Sequence, residues 1–281
     1  MGARQRMRER IQDGLYVVPG VYDALTARLA EEAGFKTVYV DSCGISGHFL
    51  AEPDIDSLSF EQLRLHVEQI ALSTKLEMIV DFPDGYGMMP IVARHARILQ
   101  LLQVSGIVMD DRIIDRFVKR QIYAPVKDMV HKLTNVREIC HSTVLIARTD
   151  VFREQGLEAA IDRIKAYRDA GADITLIEGL SSVEQLKAVS ALPWPQALHI
   201  KSKQDSPPFG FADLGRFGFS LALFSDFASR MAMKTLQIAY KTVFSQGDAR
   251  LLTDEMIDEE ERERLLRYSG SRGLVISRAP M

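Results

Sequence analysis

Cysteine is scarce: only Cys43 and Cys140 occur in 281 residues. Two thiols cannot build a disulfide framework or a Cys-rich zinc site, so reduced thiols are expected. Long apolar runs are also missing. No stretch approaches the roughly 18 residues of a membrane span. The opening MGARQRMRERIQDG has no apolar segment after its arginines, so it does not read as a secretory leader. A soluble, cytoplasmic protein is the expectation. Charge of one sign is lacking too. A formal net charge of −3 offers no broad basic field for nucleic acid or an anionic membrane, which leaves small-molecule chemistry as the stronger expectation. Low-complexity tracts, linkers and tandem repeats longer than one strand and helix are absent.

What is present is enough for a large core. Hydrophobic residues make up 47% of the chain, and its length suits one α/β barrel of roughly 250 residues. The stretch Met78 to Arg112 shows the pattern best. Two apolar runs, Met78 to Val80 and Gly106 to Met109, each stop at an acid, Asp81 and Asp110, and a helical period fills Ile91 to Leu102. Parallel strands joined through a helix place both acids at one edge of the sheet.

The same unit recurs along the chain. Strands are predicted at Leu15 to Val18, closed by Pro19-Gly20, and at Thr37 to Val40, ending at Asp41. Later ones are Thr143 to Ala147 before Arg148, Ile174 to Ile177 before Glu178, Ala197 to Ile200 before Lys201, and Phe219 to Phe224 before Ser225. Helical stretches separate them, and the arithmetic of eight pairs is that of a (β/α)8 TIM barrel. Any single polar strand end is explained by the start of a loop. The set is not, because barrels carry their active sites at that end.

Asp81 and Asp110 suit Mg2+ or Mn2+, hard cations commonly held by one or two carboxylates plus water and substrate oxygens. An α-oxo acid would complete such a shell, and Arg148 could neutralise its carboxylate. The connection after the fourth strand, residues 112–127, exceeds the usual 2 to 6 residues of a βα loop. It carries Arg112, Arg116, Lys119 and Arg120 against Asp115, and reads as a lid over an anionic substrate or as a solvated surface loop. Residues 245–281, with an acidic and basic helix at Asp254 to Tyr268, form a C-terminal extension beyond the single barrel domain.

Three segments carry a family resemblance. VPGVYDALTARLAEEAGF follows P-G-x-Y-D-A-L-[ST]-A-x-x-A-E-x-A-G-F, Asp81-Phe82-Pro83-Asp84-Gly85-Tyr86-Gly87 follows D-x-D-T-G-Y-G, and Asp110-Asp111-Arg112 follows E-D-[QK]. The chain resembles the isocitrate lyase and phosphoenolpyruvate mutase superfamily over roughly residues 15 to 235. The resemblance implies Mg2+ on Asp81, with Asp54, Asp110 and Asp84 near it, although Asp54 equally reads as a turn or N-cap residue. It implies substrate contacts from Tyr22, Asp41, Ser42, Cys43, Gly44, Arg148, His199 and Lys201, and catalytic roles for Arg148, Lys119, Tyr123 and Glu178. It further implies a homotetramer or homodimer acting on a small carboxylate.

Departures from the family pattern cluster at the same residues. Pro83 replaces the second strand-three acid, and Asp41-Ser42 stands for the usual Ser-Gly. His199 and Lys201 stand for Asn and Thr, and Lys119-Arg120-Gln121-Ile122-Tyr123 replaces K-R-C-G-H, removing the lid cysteine. The resulting expectation is a Mg2+-dependent enzyme that breaks or rearranges a C–C or C–P bond of an α-oxo or α-hydroxy carboxylate through an enolate. Losing the cysteine tilts it from lyase towards decarboxylase or hydrolase chemistry. The alternative is a binding or regulatory protein on a decayed barrel.

Overall fold

The structure, a computed structural model, describes residues 3–53, 57–113, 122–201 and 209–266. Eight parallel strands close into a barrel in chain order, with the first pairing the last. They are β1 Tyr16–Val21, β2 Thr37–Val40, β3 Glu77–Asp81, β4 Gly106–Asp110, β5 Val144–Thr149, β6 Ile174–Ile177, β7 Gln196–Ile200 and β8 Leu221–Phe224. The chain divides into two compact units, residues 1–230 and 231–281, the boundary falling inside a helix, Phe227–Gln246. Among the described residues no helix is long and apolar enough to cross a membrane.

The strands are buried on both faces, and their alternation sorts side chains into two cores. Val18, Tyr39, Ile79, Val108, Ile146, Ile174, Leu176, Ala197 and Leu223 fill the barrel interior, where Met7 and Ile11 join them. The neighbouring positions Val38, Val40, Val80, Ile107, Met109, Leu145, Ala147 and Leu198 belong to the layer packed under the helices. Continuing the inward register by two residues from Tyr39, Ile79, Val108, Ile146, Leu176 and Ala197 reaches Asp41, Asp81, Asp110, Arg148, Glu178 and His199. Strand period alone therefore collects these side chains at one mouth of the barrel.

Three local outcomes differ from the sequence reading. β1 does not close at Pro19-Gly20 but runs through it to Val21, because Pro19 lies where pairing passes from β8 to β2. Gly20 is required there, since a Cβ would stand 2.1 Å from the Ser225 carbonyl oxygen. The helix expected from Leu157 begins with an extra turn at Phe152, broken at Gly156, whose φ of 84° is left-handed. The C-terminal helix begins at Glu259 rather than Asp254, after a 3-10 segment Ala249–Glu255.

Candidate active site

The strand ends form a ring with two chemically different halves. On β2 to β4 lie three buried acids, Asp41, Asp81 and Asp110. Neither Asp41 nor Asp81 has an ion pair among the described residues. Asp41 accepts the Cys43 N–H at 3.2 Å, and Tyr39 lies fully buried two residues before it on the same inward register. Burial and the nearby charge of Asp81 raise Asp41 to about 7. Burial also raises Asp81, and Arg148 offsets this only in part.

Asp110 behaves differently. Its Oδ1 accepts the Arg112 N–H at 3.0 Å, while Oδ2 accepts Arg112 Nε at 3.0 Å and Nη2 at 2.6 Å. Burial opposes ionisation, but Arg112 and Arg148 outweigh it and hold Asp110 below the usual carboxylate range. The sequence reading paired Asp81 with Asp110 as metal ligands; Arg112 engages Asp110 Oδ1 through its backbone N–H and Oδ2 through its guanidinium, while Asp81 and Asp41 form no ion pair among the described residues.

From β5 to β7 every charge is met. Arg148, itself buried, donates Nε to Asp150 Oδ1 at 2.5 Å and Nη2 to Asp150 Oδ2 at 2.6 Å, a two-pronged pairing that fixes the guanidinium plane. Its Nη2 also lies 3.2 Å from Glu178 Oε2, and Lys201 Nζ lies 2.8 Å from Glu178 Oε1. His199 Nδ1 is 3.1 Å from Glu178 Oε2 and 3.2 Å from Arg148 Nη1. Burial opposes the Glu178 charge, but Arg148 and His199 hold it well below the usual range. Burial lowers His199, so the ring is neutral near pH 7, and its Nε2 is buried without a hydrogen-bond partner.

Other predicted residues fall into place unevenly. Tyr22 stacks on His48 with ring centroids 4.0 Å apart, and Gly44 packs against it. Ser42 donates its hydroxyl to the Asp81 carbonyl at 3.2 Å. Burial and the charges of Asp41 and Asp81 push the Cys43 thiol up to about 12, so it stays protonated. Asp84 was read as a metal neighbour, but its Oδ1 accepts the Tyr86 N–H at 2.7 Å, capping a loop in which Tyr86 has φ of 58°. Tyr123 was read as catalytic. Its hydroxyl donates to the Asp150 carbonyl at 3.1 Å, and burial raises it to about 12, so it braces the ring from outside. Asp54, Lys119 and Gln121 lie outside the described residues.

Sequence reasoning missed Asp150, Tyr39 and the grip of Arg112 on Asp110. It also missed the knot behind them, where fully buried Asp111 accepts from Thr149 Oγ1 at 2.6 Å, Tyr167 OH at 2.9 Å and Arg163 Nη1 at 3.1 Å. Arg163 further donates to the Ala124 carbonyl at 2.8 Å, which fixes the far root of the connection after β4. The near root is an antiparallel ribbon of Arg112–Ile113 with Ile122–Tyr123.

The donor set can be tested for a metal. Five carboxylates, Asp41, Asp81, Asp110, Asp150 and Glu178, meet three cationic side chains, Arg112, Arg148 and Lys201, leaving a shortfall of two positive charges. One divalent ion matches it. Among the described residues no three His, Cys, Asp or Glu side chains form a metal cage by themselves. Mg2+ takes few protein oxygens and keeps water or substrate oxygens for the rest, so the two unpaired carboxylates Asp41 and Asp81 could contribute to its shell. The residues present fit the ion.

A closed (β/α)8 barrel with a ring of acids and bases at its strand ends has the build of a barrel enzyme. The family profile described as phosphoenolpyruvate phosphomutase matches residues 7–244, and the chain belongs to that family, within the isocitrate lyase and phosphoenolpyruvate mutase superfamily of enzymes. It is 31% identical over 261 residues to "Probable 2-methylisocitrate lyase 1" of Corynebacterium glutamicum, covering 89% of this chain and 84% of that one. Among solved structures it is similar to oxaloacetate acetylhydrolase in complex with the product oxalate, with TM-score 0.82, 30% identity and coverage of 88% and 89%. It is also similar to 2,3-dimethylmalate lyase, with TM-score 0.85, 26% identity and coverage of 97% and 96%.

Proposed function

We propose that the protein is a Mg2+-dependent enzyme that cleaves a C–C bond of a small α-oxo or α-hydroxy dicarboxylate through an enolate. The observation that carries this reading is the two-sided ring: acids short of positive charge at the ends of β2 and β3, with a fixed Arg148 and Lys201 at the ends of β5 and β7. Relatives named for 2-methylisocitrate, 2,3-dimethylmalate and oxaloacetate support it.

Asp81 and Asp41 would hold the ion. When bound, Mg2+ supplies Lewis acidity that draws charge from a substrate carbonyl as it becomes an enolate oxygen. Arg148, already locked by Asp150, meets a substrate carboxylate without reorganising, which keeps its charge effective as the reaction proceeds. Lys201 and the uncommitted His199 Nε2 face the other end of a dicarboxylate. Glu178 stays ionised and anchors Arg148, His199 and Lys201, so it positions rather than donates a proton. With Tyr123 donating to a backbone carbonyl and Gln121 in place of the lid cysteine, these two lid residues are poorly suited to protonate a succinate-type carbanion. Decarboxylation of an oxaloacetate-like acid, in which CO2 departs without needing a general acid, suits the ring better.

The test is a side-by-side assay with Mg2+ on oxaloacetate, 2-methylisocitrate, isocitrate and phosphonopyruvate. Turnover of oxaloacetate that chelator abolishes is expected, with both isocitrates at least ~10²-fold poorer. No turnover of any of the four, together with oxalate binding that ignores chelator, would overturn the proposal.

A further inference from the structure

The barrel has a second concavity at the opposite end, away from the strand-end ring. It lies between the N-terminal helix Ala3–Arg10 and the starts of β5, β6 and β8, and encloses about 530 Å³. The N-terminal face of such a barrel is ordinarily a stability face, yet this cavity falls within the range of roughly 300–1,000 Å³ that holds small organic ligands.

Its walls are sorted by chemistry. Met7, Ile11, Leu192, Pro193 and Trp194 make an apolar surface, while Arg8 and Arg168 supply cations. Asp173 is the only acid among the lining residues, and its capacity is already taken. Its carboxylate receives Arg4 Nε at 2.8 Å, Arg8 Nη2 at 3.0 Å, Arg137 Nη2 at 2.5 Å and the Leu145 N–H at 3.0 Å. Burial works against the Asp173 charge, but these donors hold it ionised below the usual range. Arg168 adds a fourth guanidinium, donating Nη1 to the Ala172 and Asp173 carbonyls. One carboxylate beside four guanidinium groups leaves positive charge unmatched at the rim of an apolar hollow.

Trp194 is held as a fixed flat wall. Its indole Nε1 donates to Thr175 Oγ1 at 2.9 Å, Thr175 Oγ1 lies 2.8 Å from Gln196 Oε1, and Gln196 Nε2 returns to the Trp194 carbonyl at 3.2 Å. A ring tethered at both ends offers a contact surface at little entropic cost.

We propose that this cavity binds a small organic anion with a flat apolar body, the body on Trp194 and Pro193 and the anionic group at Arg8 and Arg168. Simple dicarboxylates of the kind assigned to the strand-end ring carry no such body, so this is a separate site with a different ligand class, and it does not depend on the proposed reaction.

Trp194 is the chain's single tryptophan, which supplies a specific reporter. The full-length protein with 5-fluorotryptophan gives one 19F resonance, followed while 1-naphthoate is added. A saturable shift with Kd in the millimolar range or tighter is expected, at least about tenfold weaker for neutral 1-naphthylmethanol. Arg168→Ala should weaken binding by a similar factor, and oxalate with Mg2+ should not displace the probe. Arg8→Gln, at a half-exposed position, supplies the same reading if Arg168→Ala fails to fold. An absent or unsaturable shift, equal affinity for the neutral compound, or displacement by oxalate would overturn the proposal.

Discussion

The two halves of the strand-end ring solve the problem of buried charge in opposite ways. On β5 to β7, Arg148, Glu178, His199, Lys201 and Asp150 satisfy one another within 2.5 to 3.2 Å. On β2 and β3, Asp41 and Asp81 are equally buried but share no cation. A buried carboxylate without a partner is costly unless it binds a proton or a metal. The complete half is therefore prepared in advance, and the incomplete half is finished by what binds. Asp110 marks the border, because Arg112 transfers it to the satisfied side.

The sharpest way to break this contrast is to remove a member from each half. Asp81→Ala should abolish Mn2+-dependent oxalate binding in calorimetry, a loss of ~10²-fold or more. It should cost little stability, because it removes a repelling charge. Arg148→Met should do the reverse damage to the fold, leaving Asp150 and Glu178 buried without their cation. A loss on the order of 3–5 kcal/mol in chemical denaturation is expected. Comparable stability losses in both variants would erase the distinction.

Acidity sharpens the same contrast. Asp41 is raised to about 7 in the fold from an unfolded value of 3.8, so the folded state favours its neutral form. The unfolded chain gives up that proton at lower pH. Stability of the chelator-treated protein should thus be highest below about pH 4 as far as this group is concerned, and decline as pH rises from there to about 7. Asp41→Asn should flatten the decline by a few kcal/mol, read as melting temperature against pH. An unchanged slope would place the titrating group elsewhere.

Arg112→Ala probes the border by returning Asp110 to the unpartnered side. Tighter Mn2+ binding, by about tenfold, should accompany a stability loss of about 3 kcal/mol in the metal-free protein, because Asp110 is left buried without that cation. The smallest expected effect is Tyr167→Phe, which removes one of the donors to Asp111 and should cost about 1–2 kcal/mol without altering metal affinity.

Much of the ring was legible in the sequence, because strand period and abrupt polar stops place Asp41, Asp81, Asp110, Arg148, Glu178 and His199 without reference to tertiary contacts. What could not be read were side-chain destinations. Asp150 follows Arg148 by two residues and looks like an ordinary loop acid until its fork is seen. Arg112 looks like one more lid cation, although it turns back on Asp110. Asp84 and Tyr123 each bond nearby backbone, Asp84 Oδ1 accepting the Tyr86 N–H and Tyr123 donating to the Asp150 carbonyl, contacts no local pattern announces. Asp111 meets Tyr167 and Arg163 across more than fifty residues of chain, a pairing no local pattern encodes.

The seam where β1 meets β8 has a consequence for biosynthesis. Tyr16 pairs with Leu221, about two hundred residues later. At translation rates of about 5–20 residues per second, the first strand waits on the order of 10–40 s for its last neighbour. During that interval one edge is open to strands of other nascent chains. Tyr16 donates its N–H to the Ser220 carbonyl and Val21 accepts from the Asp41 N–H, so alternation turns Pro19 towards β2, and its missing N–H takes no bond from the closing β8 ladder. The residue that looked like the end of a strand thus leaves the last seam free to close.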